Sequence, residues 1–376
     1  MSSFWGQYLH LSLFGESHGD GIGAVLDNLP PGQLIDTDEV KAFMRRRAPG
    51  QTPWSTARKE SDLPQILSGL YRDHTTGTPL SAVIRNQDTH SQDYSNLELV
   101  PRPGHADLTG SVRYRGANDP RGGGHFSGRI TAPLCFAGAV CKQILARQGI
   151  EITGHVKEIA GIQDREIDLA RPPVAELRTV AGKAFPVLDD ARGQEMIDAV
   201  EAARMAQDSV GGIIELVFWG LPAGIGDPMF GGLEPRLASF LYAIPAVKAL
   251  TFGSGFDAMR RRGSENNDSP QFLGEGDTLH IRNKTNHGGG IDGGISNGMP
   301  VILQVGIKPT SSVSLPQDSI DLSTGENTRL VVKGRHDPCI VPRALPVCEA
   351  GAAIVLLDSL LTSGLFDFDK TGRDSE

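Results

Sequence analysis

Residues 131–148 read Thr-Ala-Pro-Leu-Cys-Phe-Ala-Gly-Ala-Val-Cys-Lys-Gln-Ile-Leu-Ala-Arg-Gln. Pro133 near the start and Gly149 just past the end punctuate a helix, and apolar side chains lie on nearly all of its sides. A helix that is apolar all round has to be covered all round, so this stretch predicts a buried central helix. A second long apolar stretch, Val341 to Leu361, follows near the C-terminus, and each is headed by Gly-Arg, at Gly128-Arg129 and Gly334-Arg335. Two further pairs keep the same order. Leu29-Pro30-Pro31-Gly32 after a strand matches Leu221-Pro222-Ala223-Gly224 after Ile213 to Trp219, and Gly77-Thr78-Pro79 before Leu80 to Ile84 matches Gly298-Met299-Pro300 before Val301 to Ile307. The pattern predicts two copies of one strand, helix and strand unit, roughly 15–150 and 205–361, inside a single domain spanning 1–376. Strands joined by turns and followed by long helices give an α+β protein with antiparallel pairing, not a doubly wound sheet. A site between the halves would gather His18, Arg129 and Arg335.

Working outward, Tyr8 to Phe14 and Ile22 to Leu26 read as strands around the turn Gly15-Glu16-Ser17-His18-Gly19. This turn also spells Gly-x-Ser-x-Gly, but a nucleophile elbow needs a helix directly after the serine, and glycines and a strand follow here. Asp36 with Glu39 starts a helix whose apolar face is Val40, Phe43 and Met44 and whose last turn holds Arg45, Arg46 and Arg47 before Pro49-Gly50. Cations complement the negative end of a helix dipole, yet three in a row exceed what that requires.

The chemistry is densest between Arg102 and Thr131. Arginines 102, 113, 115, 121 and 129 stand among glycines that let backbone approach a ligand, and His105 and His125 are embedded with them. Histidine titrates near neutrality, so the stretch predicts anion binding coupled to proton transfer. Lys308-Pro309-Thr310-Ser311-Ser312 closes a strand with an ammonium and three hydroxyls, a composition suited to phosphate, without the spacing of a Walker loop. Gly288 to Gly294, interrupted only by Ile291 and Asp292, must run against a ligand or another backbone. Neither a Rossmann fingerprint nor zinc-ligand spacing is present, and no metal is expected.

A net charge of −9 over 376 residues argues against a general nucleic-acid role, so the arginines serve something local. Cys135, Cys141, Cys339 and Cys348 show no Cys-x-x-Cys spacing and read as reduced thiols of a cytoplasmic protein. Arg343, Glu349 and Asp358 interrupt the longest apolar run, and the N-terminus lacks a basic-then-apolar signal, so neither a membrane span nor a targeting signal is expected.

Taken in order, Gly15 to Gly19, the arginines before Pro49-Gly50, Ser91-Gln92-Asp93-Tyr94, Arg102-Pro103-Gly104-His105-Ala106-Asp107, Arg121-Gly122-Gly123-Gly124, Lys308 to Ser312 and Gly334-Arg335-His336-Asp337 resemble the chorismate synthase family over almost the whole chain. That resemblance implies a β-α-β sandwich with long helices between antiparallel sheets, and a homotetramer. It implies a carbon-oxygen lyase that converts 5-enolpyruvylshikimate 3-phosphate to chorismate and phosphate by anti-1,4-elimination, the last common step of the shikimate pathway to aromatic amino acids. The resemblance also implies that reduced FMN is required, although no net redox change occurs. Whether the chain reduces its own flavin with NADPH is left open.

By the same resemblance His18 protonates the leaving phosphate, His105 sits by the reduced flavin and manages its charge, and Asp337 assists proton removal. Ser17, Arg46, Arg47, Arg102 and Arg129 are implied to bind the substrate, whose two carboxylates and phosphate suit bidentate arginines. His125, Phe126, Ser127, Pro245, Ala246, Gly293, Lys308 to Ser312 and Arg335 are implied to hold FMN. The chain departs from the family at His125-Phe126-Ser127, where Arg-Ser-Ser is common, at Ala48 and at Pro53. Two rival readings use the same residues: a serine hydrolase with Ser17 as nucleophile, and a flavin or phosphometabolite carrier without catalysis.

Overall fold

The computed structural model describes residues 3–50, 60, 62–87, 97–332 and 337–365; Arg335 with Gly334 and His336, Ser91 to Tyr94, and Pro53 lie outside the described residues. The central helix forms over Thr131–Arg147 and the second apolar stretch over Val341–Ser363. They pack against each other so closely that a methyl group on Gly138 would sit 2.2 Å from the Ala350 side chain. The pair lies between two five-stranded sheets, Thr131–Arg147 mainly against the first and Val341–Ser363 against the second. By length and composition Val341–Ser363 could cross a bilayer, but it is buried inside the protein almost throughout.

The first sheet runs Phe4–Trp5, His10–Gly15, Gly21–Asp27, Leu80–Arg85, Gln65–Ser68, and the second runs Val247–Phe252, Val301–Ile307, Gly212–Trp219, Glu151–Ile159, Ile162–Gln163. Every pairing is antiparallel. Period-2 alternation sets the register of the first sheet: Ile22, Ala24 and Leu26 lie opposite Ile84, Ala82 and Leu80, and all six are buried. The second sheet is covered on both faces. Ile214, Leu216 and Phe218 join the main core, while Val217 and Ile302 pack outward against Leu177, Val180 and Leu188. Gly212–Trp219 is accordingly close to a continuous apolar run.

Setting aside the edge strands Phe4–Trp5 and Ile162–Gln163, both sheets have their strands in the chain order first, second, fourth, third. A helix stands between the second and third strand in each, Thr37–Arg47 and Leu233–Leu241. The turns match atom by atom. Thr75 Oγ1 donates to the Pro30 carbonyl at 2.6 Å and accepts from Gln33 N at 2.9 Å; Ser296 Oγ donates to the Pro222 carbonyl at 2.6 Å and accepts from Ile225 N at 2.9 Å.

Several elements were not expected from the sequence. Glu151–Ile159 does not alternate cleanly because His155 and Lys157, both buried, share Glu215 of the neighbouring strand, and His155 also meets Asp164. Helices Val174–Val180 and Asp190–Met205 lie beyond this charged layer. As expected, the glycine-rich run at 288–294 lies against backbone: methyl groups on Gly289 and Gly290 would fall 2.3 Å from Gly253 N and 2.5 Å from the Pro300 carbonyl oxygen.

Candidate active site

Arg121-Gly122-Gly123-Gly124 forms a tight turn whose three glycines have φ of +59°, +83° and +53°, a region that costs residues with a Cβ about 1 kcal/mol or more. Its close approach to side chains is the second reason for glycine. A methyl group on Gly122 would lie 2.1 Å from the His18 ring and 3.0 Å from Ser17 Oγ, and one on Gly123 would lie 2.9 Å from the His105 ring and 3.3 Å from Arg102. Consecutive glycines therefore seat His18 and His105 on one loop, joining two stretches distant in sequence. Ser17 N donates to the Gly124 carbonyl at 3.1 Å and completes the seat. Gly122→Ala is expected to displace the His18 ring, cut turnover roughly 10²-fold and lower the melting temperature by a small amount, because the strained φ and the clash destabilise the loop; steady-state kinetics with a thermal melt checks this.

Asn86, not read as functional from the sequence, holds the Ser17-His18 turn. Its amide donates to the carbonyls of Glu16 and Gly19 at 3.0 and 2.8 Å, and its oxygen accepts from Arg129 Nε at 3.0 Å. Ser17 is 1% exposed, and its hydroxyl has no hydrogen-bond partner among the described residues. A serine nucleophile needs a base within hydrogen-bond reach, and a nucleophile elbow also needs a helix directly after it; here a strand follows, so the hydrolase reading loses support.

His105 Nδ1 lies 2.6 Å from Asp107 Oδ1. Arg102 grips the same carboxylate through Nε at 2.7 Å and Nη2 at 2.8 Å, and its Nη1 donates to Ser312 Oγ at 3.0 Å. Burial opposes ionisation of Asp107, but the bonds from Arg102 and His105 outweigh it and hold the carboxyl well below its usual range. Lys308 Nζ donates to the Gly104 carbonyl at 3.0 Å, so the 308–312 segment rests on the His105 loop. Burial, with Lys248 nearby, pushes the Lys308 ammonium down from its ordinary value.

The arginines expected to meet substrate are divided. Arg47 and Arg129 converge on the buried Asp62, Arg47 at 2.6 Å and Arg129 through a short ion pair, and Arg47 also donates to Thr131 Oγ1. Asp62 is held below the usual carboxylate range because these two cations outweigh its burial. Arg343 links this cluster to Asp337: it donates to the Arg47 carbonyl at 3.0 Å and pairs with the Asp337 carboxylate. Arg102 faces Asp107. Arg46 turns inward, bidentate to Glu349 at 2.7 and 2.9 Å, with Lys142 on the same carboxylate at 2.5 Å.

Of the residues expected to hold a cofactor, Lys308 to Ser312 lie against the His105 loop, and Ala246 adjoins them by accepting from Lys308 N at 2.9 Å. The Thr310 hydroxyl is buried with no partner among the described residues, and with Lys308 it makes a donor set fit for a phosphate-bearing group. Both ring nitrogens of His125 are occupied, by the Gly15 carbonyl at 2.8 Å and Ser3 Oγ at 2.6 Å, beside an open cleft of about 540 Å³ lined by Phe14, Glu16 and Asp20. Phe126 packs on Gly110 and Tyr114, and Ser127 Oγ accepts from Arg129 N at 3.3 Å. Pro245 precedes Ala246, which has φ of +73°. Gly293 sits in a small hairpin whose neighbour Gly294 packs on Asp227 and Gly232, so no described contact brings it to the histidines. Among the described residues no cluster of metal-ligating side chains occurs.

The family model described as chorismate synthase matches residues 9–361. A chorismate synthase of Dehalococcoides mccartyi is 42% identical over 366 residues, covering 97% of this chain and 98% of that protein. One from Thermococcus kodakarensis is 42% identical over 356 residues, covering 95% and 97%. A crystal structure of chorismate synthase superposes with a TM-score of 0.74 at 27% identity, covering 95% of this chain and 93% of the other. With family motifs, fold and relatives in agreement along nearly its full length, the chain belongs to the chorismate synthase family.

Proposed function

We propose that the chain is the chorismate-forming lyase of the shikimate pathway and acts on 5-enolpyruvylshikimate 3-phosphate with reduced FMN. The observation that carries this reading is the glycine loop seating His18 and His105 together, with Lys308 to Ser312 resting against the His105 side. When bound, reduced flavin supplies electron density to the substrate and takes it back. The protein's own residues do the remaining work. Phosphate and proton leave from opposite faces, so the acid and the base must be different groups. His18, 8% exposed, donates a proton to the departing phosphate, and Ser17 with its unused hydroxyl orients that phosphate. Arg47 and Arg129 bind carboxylate or phosphate after release from Asp62, and Asp337 assists removal of the proton. His105 meets the flavin, and Lys308, Thr310, Ser311 and Ser312 hold its phosphate. A homotetramer and a cytoplasmic location belong to the same reading, which is neutral on NADPH as the flavin reductant.

Two experiments test it. Lys308→Met should weaken flavin binding by about 1.5–3 kcal/mol, the worth of a charge-assisted bond; unchanged affinity in a fluorescence titration would move the phosphate elsewhere. Separate Ser17→Ala, His18→Ala and His105→Ala variants distinguish the activities. The lyase loses turnover with either histidine while still binding flavin, a hydrolase fails with Ser17 alone, and a carrier has no turnover to lose.

The shared strand order and matched turns support a second proposal, that the chain is a duplicated unit. The second copy then begins with Glu151–Ile159, ahead of the boundary near 205 suggested by sequence. One rotation should superpose 10–147 on 151–363 with Gly77 on Gly298; strands that match only out of register would overturn it.

A further inference from the structure

We infer that Asp107 is the positioning residue of His105, fixing its neutral ring with the proton on Nδ1 and leaving Nε2 as an acceptor toward the ligand. Two groups compete for Nδ1: Asp107 Oδ1 at 2.6 Å and Arg102 Nη2 at 3.1 Å. A carboxylate only accepts and a guanidinium only donates, so the ring can serve one of them. A lone pair on Nδ1 would face the carboxylate oxygen at 2.6 Å with nothing between, whereas a proton there makes a short charge-assisted bond. Arg102 already has its acceptors, since Nε and Nη2 take Asp107 and Nη1 takes Ser312.

The carboxylate is itself held still. It accepts from the Arg102 backbone N at 3.0 Å as well as from the guanidinium, at the first turn of helix Asp107–Tyr114. His105 is thus oriented by a chain that begins at Ser312, and the expected substrate contact Arg102 acts inside that chain. Nε2 lies where Gly123 has no side chain; a methyl group there would come within 3.2 Å of it. In the neutral ring with Nδ1 protonated, Nε2 can accept a hydrogen bond or a proton but cannot donate, so the ligand atom that meets it in that state is an N–H or O–H donor.

The identity of that ligand rests on the activity proposed above; the ring state does not, and ligand-free protein tests it. Histidine-selective 15N NMR at a pH where the ring is neutral, with His105→Gln identifying the signal, should place the proton on Nδ1. In Asp107→Asn the proton should shift toward Nε2, with kcat falling roughly 10²-fold and KM changing less than about threefold. Arg102→Gln keeps the test open if the first variant fails to fold, and it should retain the Nδ1 proton. A wild-type ring protonated on Nε2, or an Asp107→Asn protein with wild-type ring state and kcat, would overturn the assignment. An Nδ1-protonated ring in a chain that forms no chorismate would sustain it and overturn the activity reading alone.

Discussion

His18→Ala is expected to lower turnover by about 10²- to 10⁴-fold, the range one general acid supplies. Phosphate leaves poorly as a fully ionised group, and His18 is the imidazole beside Ser17 on the Gly122 turn. The fold should tolerate the change, because the ring rests on a glycine loop and not in the apolar core, so circular dichroism and melting should remain near wild type. The pH profile carries more information than the rate. If the imidazolium is the acid, the basic limb of turnover belongs to His18 and disappears in the variant. A protein that keeps both its rate and its basic limb would remove His18 from the proton path and leave His105 as the candidate.

The second large effect is on stability, at Glu349. This carboxylate is fully buried on helix Val341–Ser363, between Arg46 at 2.7 Å and Lys142 at 2.5 Å. Burial opposes its ionisation, yet the two cations overcome that and hold its pKa at about 2. Glu349→Gln keeps the volume and removes the charge, leaving two cations without a counter-ion. Loss of one partner from a buried pair costs about 3–5 kcal/mol, read as a fall in the denaturation midpoint. Replacing all three with Met or Leu should recover much of the loss, because the apolar version has no charge to desolvate. The pH dependence has a defined sign. The folded pKa lies below the ordinary value of 4.5, so the stabilisation is complete above about 4.5 and fades as pH falls toward about 2. A Glu349→Gln protein as stable as wild type at neutral pH would show that the cluster contributes nothing net.

These two residues also mark what could be read from sequence. Local patterns were legible because their causes are local. Asp36 accepts from Asp38 N and Glu39 N at the start of Thr37–Arg47, Gly149 follows Thr131–Arg147 with φ of +74°, and Gly21–Asp27 alternates. His105 was legible as chemistry, since glycines beside arginines signal backbone approach, whereas the role of His18 came from the family resemblance. Ion partners were not. Arg46 meets Glu349 and Arg129 meets Asp62 across separations that only the fold closes, and the same holds for His155 between Asp164 and Glu215. Arg46 and Arg47, both implied by resemblance to bind substrate, therefore divide, with Arg46 turned inward on Glu349 and Arg47 on Asp62. Asp107 stood inside a motif already noted, and its role follows only from the distance to His105.

Chorismate formation at the His18–His105 loop can be measured directly. The direct measurement is an anaerobic assay of the purified chain with reduced FMN and 5-enolpyruvylshikimate 3-phosphate, following phosphate and chorismate together. One phosphate should be released per chorismate formed, with the flavin still reduced at the end and neither product accumulating at an appreciable rate in His18→Ala. Phosphate without chorismate, abolished by Ser17→Ala and not by His18→Ala, would contradict it.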